Sequence, residues 1–167
     1  MKQFKIYFSH GKDSGPDGRK ITSLMPIAES FGFETESVDY TATKDPEERI
    51  KILFDILKNK SENRILYGSS MGAYVSVAVS QLTEIKGLFL CAPALYLENY
   101  KHQNFKLQKI PLTIIHGKQD LIVPYENSVK FASEQNCELH LVNDDHILSS
   151  SEELIRFLFK QFLRSLK

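Results

Sequence analysis

The chain has 167 residues, 42% of them hydrophobic, which is enough to bury one core, and we predict a single domain over residues 1–167. Lys plus Arg and Asp plus Glu each number 21, so the formal net charge is zero and does not favour nucleic acid or an anionic membrane surface as a partner. No segment approaches the roughly 20 apolar residues of a membrane span, and the first residues form no secretory signal. With only two cysteines, a disulfide framework is not indicated, and we predict a cytoplasmic protein.

The predicted elements alternate between strands and helices along the whole chain. Six short apolar segments are typical of strands: Phe4–Phe8, Phe33–Val38, Arg64–Tyr67, Lys86–Cys91, Leu112–Ile115 and Glu138–Val142. The predicted helices are Arg19–Phe31, one that Asp45 caps, Ala73–Val79, one after Pro124, and one that opens at Ser149 or Ser150. This alternation implies a mostly parallel sheet covered on both faces, so we predict an α/β protein with a three-layer α/β/α sandwich of about six strands.

The run Gly68-Ser-Ser-Met-Gly72 lies at the junction of the third strand and the helix after it. A Gly-x-Ser-x-Gly sequence in this place forms a sharp, strained turn that holds the serine hydroxyl above the carboxyl edge of the sheet. Small residues are needed on both sides of the serine because a side chain there would collide with the neighbouring strand or helix. Ser70 is therefore the candidate nucleophile, and the structural alternative is a helix N-terminal serine without chemistry.

A serine nucleophile needs a general base, usually His, and an acid that holds the imidazole in place. Asp120 follows the fifth predicted strand and His146 follows the sixth, so the order along the chain is Ser70, Asp120, His146. Asp120 has an alternative role as the cap of the helix after Pro124. Its rivals as the acid are Asp144 and Asp145, and the rivals of His146 as the base are His10, His102, His116 and His140.

In these motifs the chain resembles the α/β-hydrolase superfamily over nearly its whole length. The matching pieces are Ser9-His-Gly-Lys12, the Gly68–Gly72 turn, the Gly117–Pro124 block and Asp145-His146. The resemblance implies a Ser-His-Asp triad of Ser70, His146 and Asp120. It also implies an oxyanion hole formed by the backbone N–H groups of Met71 and Lys12, with Gly11 as the alternative to Lys12. Within the superfamily, the chain looks like the small, compact serine esterases.

Compared with the full family fold, this chain is predicted to be truncated and to have no cap domain. The first strand begins at Phe4, which leaves no room for the antiparallel pair that usually opens the fold. Cap domains of the family fall between the fourth and fifth strands predicted here, and that gap holds only Ala92–Ile110. Four residues within it either line one side of a substrate pocket or pack a short helix: Leu95, Tyr96, Leu97 and Tyr100.

The residues and the resemblance together predict a serine hydrolase that cleaves small carboxylic esters or thioesters, with the small-molecule substrate as its partner. Peptidase activity is less favoured, because amide leaving groups need tighter positioning than an open site gives. The alternatives are a noncatalytic binding or scaffold protein that retains the fold, and a lyase or transferase that uses the same triad.

No cofactor is predicted for this chemistry. There is no His-Glu-x-x-His or cysteine cluster for a metal, and the Gly11–Gly15 loop lacks the spacing of a nucleotide-binding motif. The presence of Lys12 and Ser14 in that loop suggests, as a hypothesis, that the substrate carries a negative charge.

Overall fold

The structure, a computed structural model, describes residues 3–167 and contains strands and helices that alternate along the chain. Their bounds are β1 (Phe4–Ser9), α1 (Arg19–Ser30), β2 (Glu34–Val38), α2 (Pro46–Leu57), β3 (Asn63–Ser69), α3 (Met71–Ser80), β4 (Gly87–Cys91), β5 (Leu112–Gly117), α4 (Tyr125–Gln135), β6 (Glu138–Val142) and α5 (Glu152–Ser165). The six predicted strands are all present, at nearly the predicted positions.

The six strands form one sheet in the order β2-β1-β3-β4-β5-β6, and every neighbouring pair is parallel. The chain moves from β1 outward to β2 and then returns to place β3 on the other side of β1. The carboxyl ends of β1 and β3 therefore flank the point where the strand order reverses, which is where ligands bind in open parallel sheets. The loops that follow these two strands begin at His10 and at Ser70.

Helices cover both faces of the sheet. Helices α1 and α5 contact each other and pack on one face, where Leu24 and Phe159 are fully buried against the strands. Helices α2, α3 and α4 cover the other face, and every residue of α3 is buried. The aromatic rings of Phe89 and Phe159 meet edge to face across the sheet–α5 interface, with ring centroids 5.2 Å apart. The predicted three-layer α/β/α sandwich is confirmed.

The last helix starts later than the sequence predicts, at Glu152 rather than at Ser149 or Ser150. Leu148 has a positive φ of 60°, which turns the chain out of a helical path just before these serines. The Ser151 hydroxyl donates to the Asp144 carboxylate at 2.8 Å instead of capping the helix. The loop after β6 is thereby tied to the start of α5.

The connection between β4 and β5 forms neither a helix nor a strand in residues 92–111, all of which the structure describes. Side chains of the helices hold it against the body: Gln81 accepts from the Lys106 N–H, and Gln135 bonds both the Phe105 carbonyl and the Leu107 N–H. This segment makes no cap over the sheet edge. In the described part of the chain, no helix has the length and apolar character needed to cross a membrane.

Candidate active site

Ser70 occupies a strained turn between β3 and α3. Its φ of 54° and ψ of −120° lie in a backbone region that residues with a side chain rarely adopt. A Cβ atom on Gly68 would lie 2.4 Å from the Ala73 Cα, and one on Gly72 would lie 2.1 Å from the Ser9 carbonyl oxygen. Both glycines are therefore required by the close approach of α3 to the strands, which holds the Ser70 hydroxyl above the sheet edge.

The structure brings Ser70, His146 and Asp120 into one hydrogen-bonded chain. The His146 Nε2 atom lies 2.9 Å from the Ser70 Oγ atom, and the His146 Nδ1 atom lies 2.6 Å from the Asp120 Oδ2 atom. The Asp120 side chain is fully buried, whereas 16% of the His146 side chain is exposed. In this geometry the ring can accept the serine proton on one nitrogen while the carboxylate binds the N–H on the other.

The Asp120 carboxylate is held by donors on both of its oxygens. Its Oδ1 atom accepts from the Ile122 and Val123 N–H groups, each at 2.8 Å, and its Oδ2 atom lies within hydrogen-bond distance of two imidazoles. Burial alone would raise the pKa of Asp120, but these backbone donors and the His146 ring outweigh it and hold the pKa below its ordinary value. Asp120 therefore stays ionised at neutral pH. Its backbone hydrogen bonds are to the loop that follows it, and it does not cap helix α4.

The second imidazole on Asp120 belongs to His116. Its Nε2 atom lies 2.9 Å from the Asp120 Oδ2 atom and 3.2 Å from the Val123 carbonyl oxygen, so this nitrogen carries a proton and donates it. Its Nδ1 atom lies 2.7 Å from the Ser128 hydroxyl and accepts from it. Burial lowers the pKa of His116, so the ring is neutral. The sequence identified His116 only as a rival base, because nothing local shows that its side chain points at Asp120.

The other rivals from the sequence lie away from Ser70 and have partners of their own. Asp144 binds Ser151, and the Asp145 Oδ1 atom accepts from the Ile147 N–H at 2.8 Å. His102 pairs with Glu47 and His140 pairs with Glu138. None of these side chains takes part in the hydrogen-bonded chain of Ser70.

The loop after β1 places two backbone N–H groups beside Ser70. A Cβ atom on Gly11 would lie 3.5 Å from the Ser70 Cβ atom, and both Gly11 and Lys12 line the same groove as Ser70. Within residues 3–167, the N–H groups of Gly11, Lys12 and Met71 donate to no protein acceptor. Met71 directly follows Ser70 and the other two residues belong to the loop beside it, so these unpaired donors are available to bind an oxyanion.

The His10 ring fixes the start of this loop. Its Nε2 atom accepts from the Tyr40 N–H at 3.0 Å, so the proton resides on Nδ1, which donates to the Gly11 carbonyl at 2.8 Å. Burial lowers the pKa of His10, in keeping with a neutral ring. The ring therefore binds the loop rather than the serine.

Arg49 of helix α2 binds the same loop from the other side. The guanidinium of this side chain, which is 1% exposed, pairs with no carboxylate in the described part of the chain and is surrounded by backbone carbonyl groups. It donates to the oxygens of His10 (3.3 Å), Gly11 (3.1 Å), Lys12 (3.3 Å), Tyr40 (3.4 Å) and Thr43 (2.9 Å). The sequence did not single out Arg49, and its only local signal was the position of an arginine beside the apolar face of α2.

A groove of about 520 Å³ runs past Ser70 and His146. Its apolar lining residues include Leu97, Tyr100, Ile122, Val123 and Ile147. Its polar lining residues include Lys12, Asp13, Ser14 and Lys20. Of the four pocket residues considered from the sequence, Leu97 and Tyr100 line the groove, whereas Leu95 is buried in the core and Tyr96 binds Glu134. Among residues 3–167, no group of three or more His, Cys, Asp or Glu side chains is arranged to hold a metal ion.

Comparison with known proteins places the chain in a family. Residues 5–109 match UPF0227, which is described as an uncharacterised protein family. The chain belongs to UPF0227. The matching part of this UPF0227 member includes Arg49 and Ser70 and ends before Asp120 and His146. None of the curated proteins compared with the chain matches it.

Solved structures share the fold over almost the whole chain. A protein from Xanthomonas campestris pv. campestris, assigned to the alpha/beta hydrolase superfamily, is 27% identical, with a TM-score of 0.88 over 98% of this chain and 99% of that chain. Est1E from Butyrivibrio proteoclasticus is 20% identical, with a TM-score of 0.76 over 99% of this chain and 88% of its own. Esterase Pf2001 from Pyrococcus furiosus is 19% identical, with a TM-score of 0.76 over 98% and 82%. The predicted membership of the α/β-hydrolase superfamily is confirmed, and these neighbours are hydrolases and esterases.

Proposed function

We propose that this UPF0227 member is a serine hydrolase that cleaves small carboxylic esters or thioesters through an acyl-enzyme on Ser70. The observation that carries the proposal is the unbroken hydrogen-bonded chain from the Ser70 hydroxyl through both nitrogens of His146 to the buried Asp120 carboxylate. The hydrolase and esterase neighbours support the same chemistry. The short β4–β5 connection supports a small substrate, because no cap closes over a long acyl chain.

In the first half of the reaction, the Ser70 Oγ atom attacks the carbonyl carbon while the His146 Nε2 atom takes the hydroxyl proton. The carbonyl oxygen becomes an oxyanion, which the N–H groups of Met71 and of Lys12 or Gly11 bind. Donors that are fixed before the reaction stabilise this charge by about 3–4 kcal/mol each. The ionised Asp120 accepts the His146 Nδ1–H bond and stabilises the imidazolium.

In the second half, His146 gives its proton to the leaving oxygen or sulfur, and the alcohol or thiol departs. Water then attacks the acyl group on Ser70 while His146 takes one of its protons. Return of that proton to the Ser70 oxygen releases the carboxylic acid and restores the enzyme. The balanced reaction is ester plus water to acid plus alcohol, and it needs no cofactor.

Labelling with a fluorophosphonate probe and hydrolysis of p-nitrophenyl acetate test this proposal. We expect the wild-type protein to be labelled and to hydrolyse the ester, and Ser70→Ala and His146→Ala to lose both properties. His140→Ala is the matched control, since this half-buried histidine binds Glu138 on β6 and lies outside the groove.

The same assay separates the alternatives. A wild-type protein that is neither labelled nor acylated would support a noncatalytic binding or scaffold protein. Turnover that consumes ester without releasing free acid would support a transferase or a lyase. Comparison of short-chain esters with the matching acyl-thioesters then shows which leaving group the site prefers.

A further inference from the structure

A side pocket of about 180 Å³ lies next to the groove that holds the nucleophile. Pocket and groove share five lining residues, among them Ser69, Lys20 and Ile147, so the two spaces adjoin each other. The side pocket lies between the N-terminus of α1 and the carboxyl end of β3. A group attached to a substrate at Ser70 can therefore enter it.

The polar side chains of this side pocket are donors of hydrogen bonds. Arg19 and Lys20 supply two cations, and Ser14, Tyr67 and Ser69 supply three hydroxyl groups. None of the described residues that line it carries a carboxylate. Arg19 is partly neutralised by Glu152 at 3.9 Å, whereas the Lys20 ammonium donates to the Ile147 carbonyl at 2.7 Å and has no carboxylate partner among the residues that the structure describes.

The start of α1 adds further unpaired donors. This helix begins after Gly18 without a side-chain cap and without an acidic residue in its first turn. The first N–H groups of a helix point outward and carry partial positive charge, which favours an anion. Instead of a carboxylate, the first turn holds Arg19 and Lys20, whose charges add to the partial positive charge of the helix N-terminus.

Tyr67 is an independent sign that a ligand belongs in this pocket. The residue is fully buried and lines the pocket, and within residues 3–167 its hydroxyl makes no hydrogen bond of normal geometry, although it interacts with the side chains of Ser69 and Cys91. Burial raises the pKa of Tyr67, so the hydroxyl keeps its proton and remains a donor. Buried polar groups in folded proteins are almost always paired, so a hydroxyl without a hydrogen bond of normal geometry beside a cavity indicates a missing acceptor.

We propose that the side pocket binds a compact oxyanion, a carboxylate or a phosphate, carried by the ester substrate, with Tyr67, Lys20 and the N-terminus of α1 as its donors. This inference rests on the proposed function and names the substrate class: an ester that bears one anionic group a short distance from the scissile bond. The apolar residues that line the groove are then available to contact the remainder of the substrate.

Two pairs of esters test the inference, each pair differing only in a carboxylate and the isopropyl group of the same shape. Monoethyl succinate and ethyl isocaproate place the charge on the acyl side, while acetoxyacetate and isobutyl acetate place it on the alcohol side. The measured quantity is the ratio of kcat/KM for the anionic ester to kcat/KM for its neutral partner, because a general loss of activity cancels in this ratio.

We expect wild type to prefer the anionic ester in one of the two pairs, and which pair it is identifies the side of the scissile bond that carries the charge. Tyr67→Phe and Lys20→Gln should each lower that ratio by about tenfold, since each removes one hydrogen bond to a charged group. Lys160→Gln is the matched control: it removes a lysine charge from an exposed position of α5, and the ratio should not change. A ratio near one in wild type for both pairs, or one that neither variant lowers, would overturn the inference.

A binding measurement on Ser70→Ala separates this inference from the proposed function. We expect succinate or inorganic phosphate to bind Ser70→Ala by calorimetry, and the affinity to fall about tenfold when Tyr67→Phe is added. If neither anion binds to Ser70→Ala, the side-pocket proposal alone is contradicted. Binding that depends on Tyr67, in a protein that hydrolyses no ester, would contradict the hydrolase proposal and leave the anion site standing.

Discussion

At the scale of single residues, the Asp120 carboxylate serves two imidazoles through one oxygen atom. His146 faces Ser70, and His116 is a neutral, fully buried donor on the other side. Because the Asp120 oxygen accepts one N–H bond from each ring, His146 carries its proton on Nδ1 and His116 carries its proton on Nε2. An amide in place of the carboxylate would present an N–H group to one of these donors and remove the negative charge.

We therefore expect Asp120→Asn to lower kcat for p-nitrophenyl acetate by about 10³–10⁴-fold, the loss typical of triads whose acid is replaced by an amide. Asp145→Asn is the control, because Asp145 accepts backbone N–H bonds in its own loop and lies adjacent to His146 in sequence. Steady-state kinetics of both variants measure the difference. Nearly full activity of Asp120→Asn would show that another residue acts as the acid.

Arg49 acts at the same scale through the backbone. A trans peptide points its C=O and the following N–H in opposite directions, and no cis bond occurs in the described chain. The guanidinium binds the carbonyls of His10 and Gly11, so it turns the N–H groups of Gly11 and Lys12 away from α2. We propose that Arg49 is a positioning residue for these two oxyanion donors.

We expect Arg49→Lys to lower kcat about 10–100-fold with little change in KM, since a single ammonium cannot bind the carbonyls of three successive residues and the affected donors act in the transition state. Arg156→Lys on the surface of α5 is the control. Kinetics and thermal unfolding are measured together. A lower Tm with unchanged kcat would mean that Arg49 only stabilises the fold.

At the scale of secondary structure elements, the decisive contact is the approach of α3 to the end of β1. A Cβ atom at Gly72 would meet the Ser9 carbonyl oxygen at 2.1 Å and the His10 carbonyl oxygen at 2.6 Å, and both are backbone atoms that cannot rotate away. The same approach brings the Ser70 turn next to the loop that carries Gly11. Position 72 therefore links the packing of α3 to the geometry of the site.

Gly72→Ala should lower the free energy of unfolding by about 3 kcal/mol or more, because overpacking against backbone atoms forces the helix off the strand. Gly15→Ala is the matched control, since its nearest contact would be the Asp17 side chain at 3.1 Å, which can rotate. Urea denaturation followed by circular dichroism measures both. Equal stability of the two variants would contradict the tight contact between α3 and β1.

At the scale of the whole molecule, two buried histidines couple folding to pH. His10 and His116 are 1% and 0% exposed, and burial lowers the pKa of each below the ordinary value of about 6.5. The unfolded chain therefore binds more protons than the folded protein at mildly acidic pH. Their stabilising effect is present above the unfolded pKa and is lost as the pH falls toward the folded pKa.

We expect the urea midpoint to fall between pH 7.5 and pH 5.5, with a slope of at most about 1.4 kcal/mol per pH unit for each buried histidine. His116→Gln should have a smaller pH dependence than wild type. Gln108→Ala should keep the wild-type dependence, because Gln108 is exposed and carries no titratable group. A flat stability profile for wild type in this range would contradict the prediction.

The sequence by itself determined the alternation of strands and helices, the turn at Ser70 and the order of the three candidate triad residues. These features depend on residues that are neighbours in the chain: apolar strands, glycines on both sides of a serine, and polar residues directly after strands. Parallel strands then bring their carboxyl ends to one edge, so the sequence also predicted where these residues gather. The late start of α5 at Glu152 escaped this reasoning, because Ser151 binds Asp144 rather than capping the helix.

Only the tertiary structure decided what surrounds that edge. Three contacts depend on how helices and loops pack around the sheet. They are those of Arg49 with the loop after β1, of His116 with Asp120, and of the buried Tyr67 with the side pocket. A sequence pattern assigns a side chain to a face of an element, but the partners on that face come from distant segments. The direction of a buried donor is therefore fixed by packing, and it is packing that decides which groups meet at Ser70.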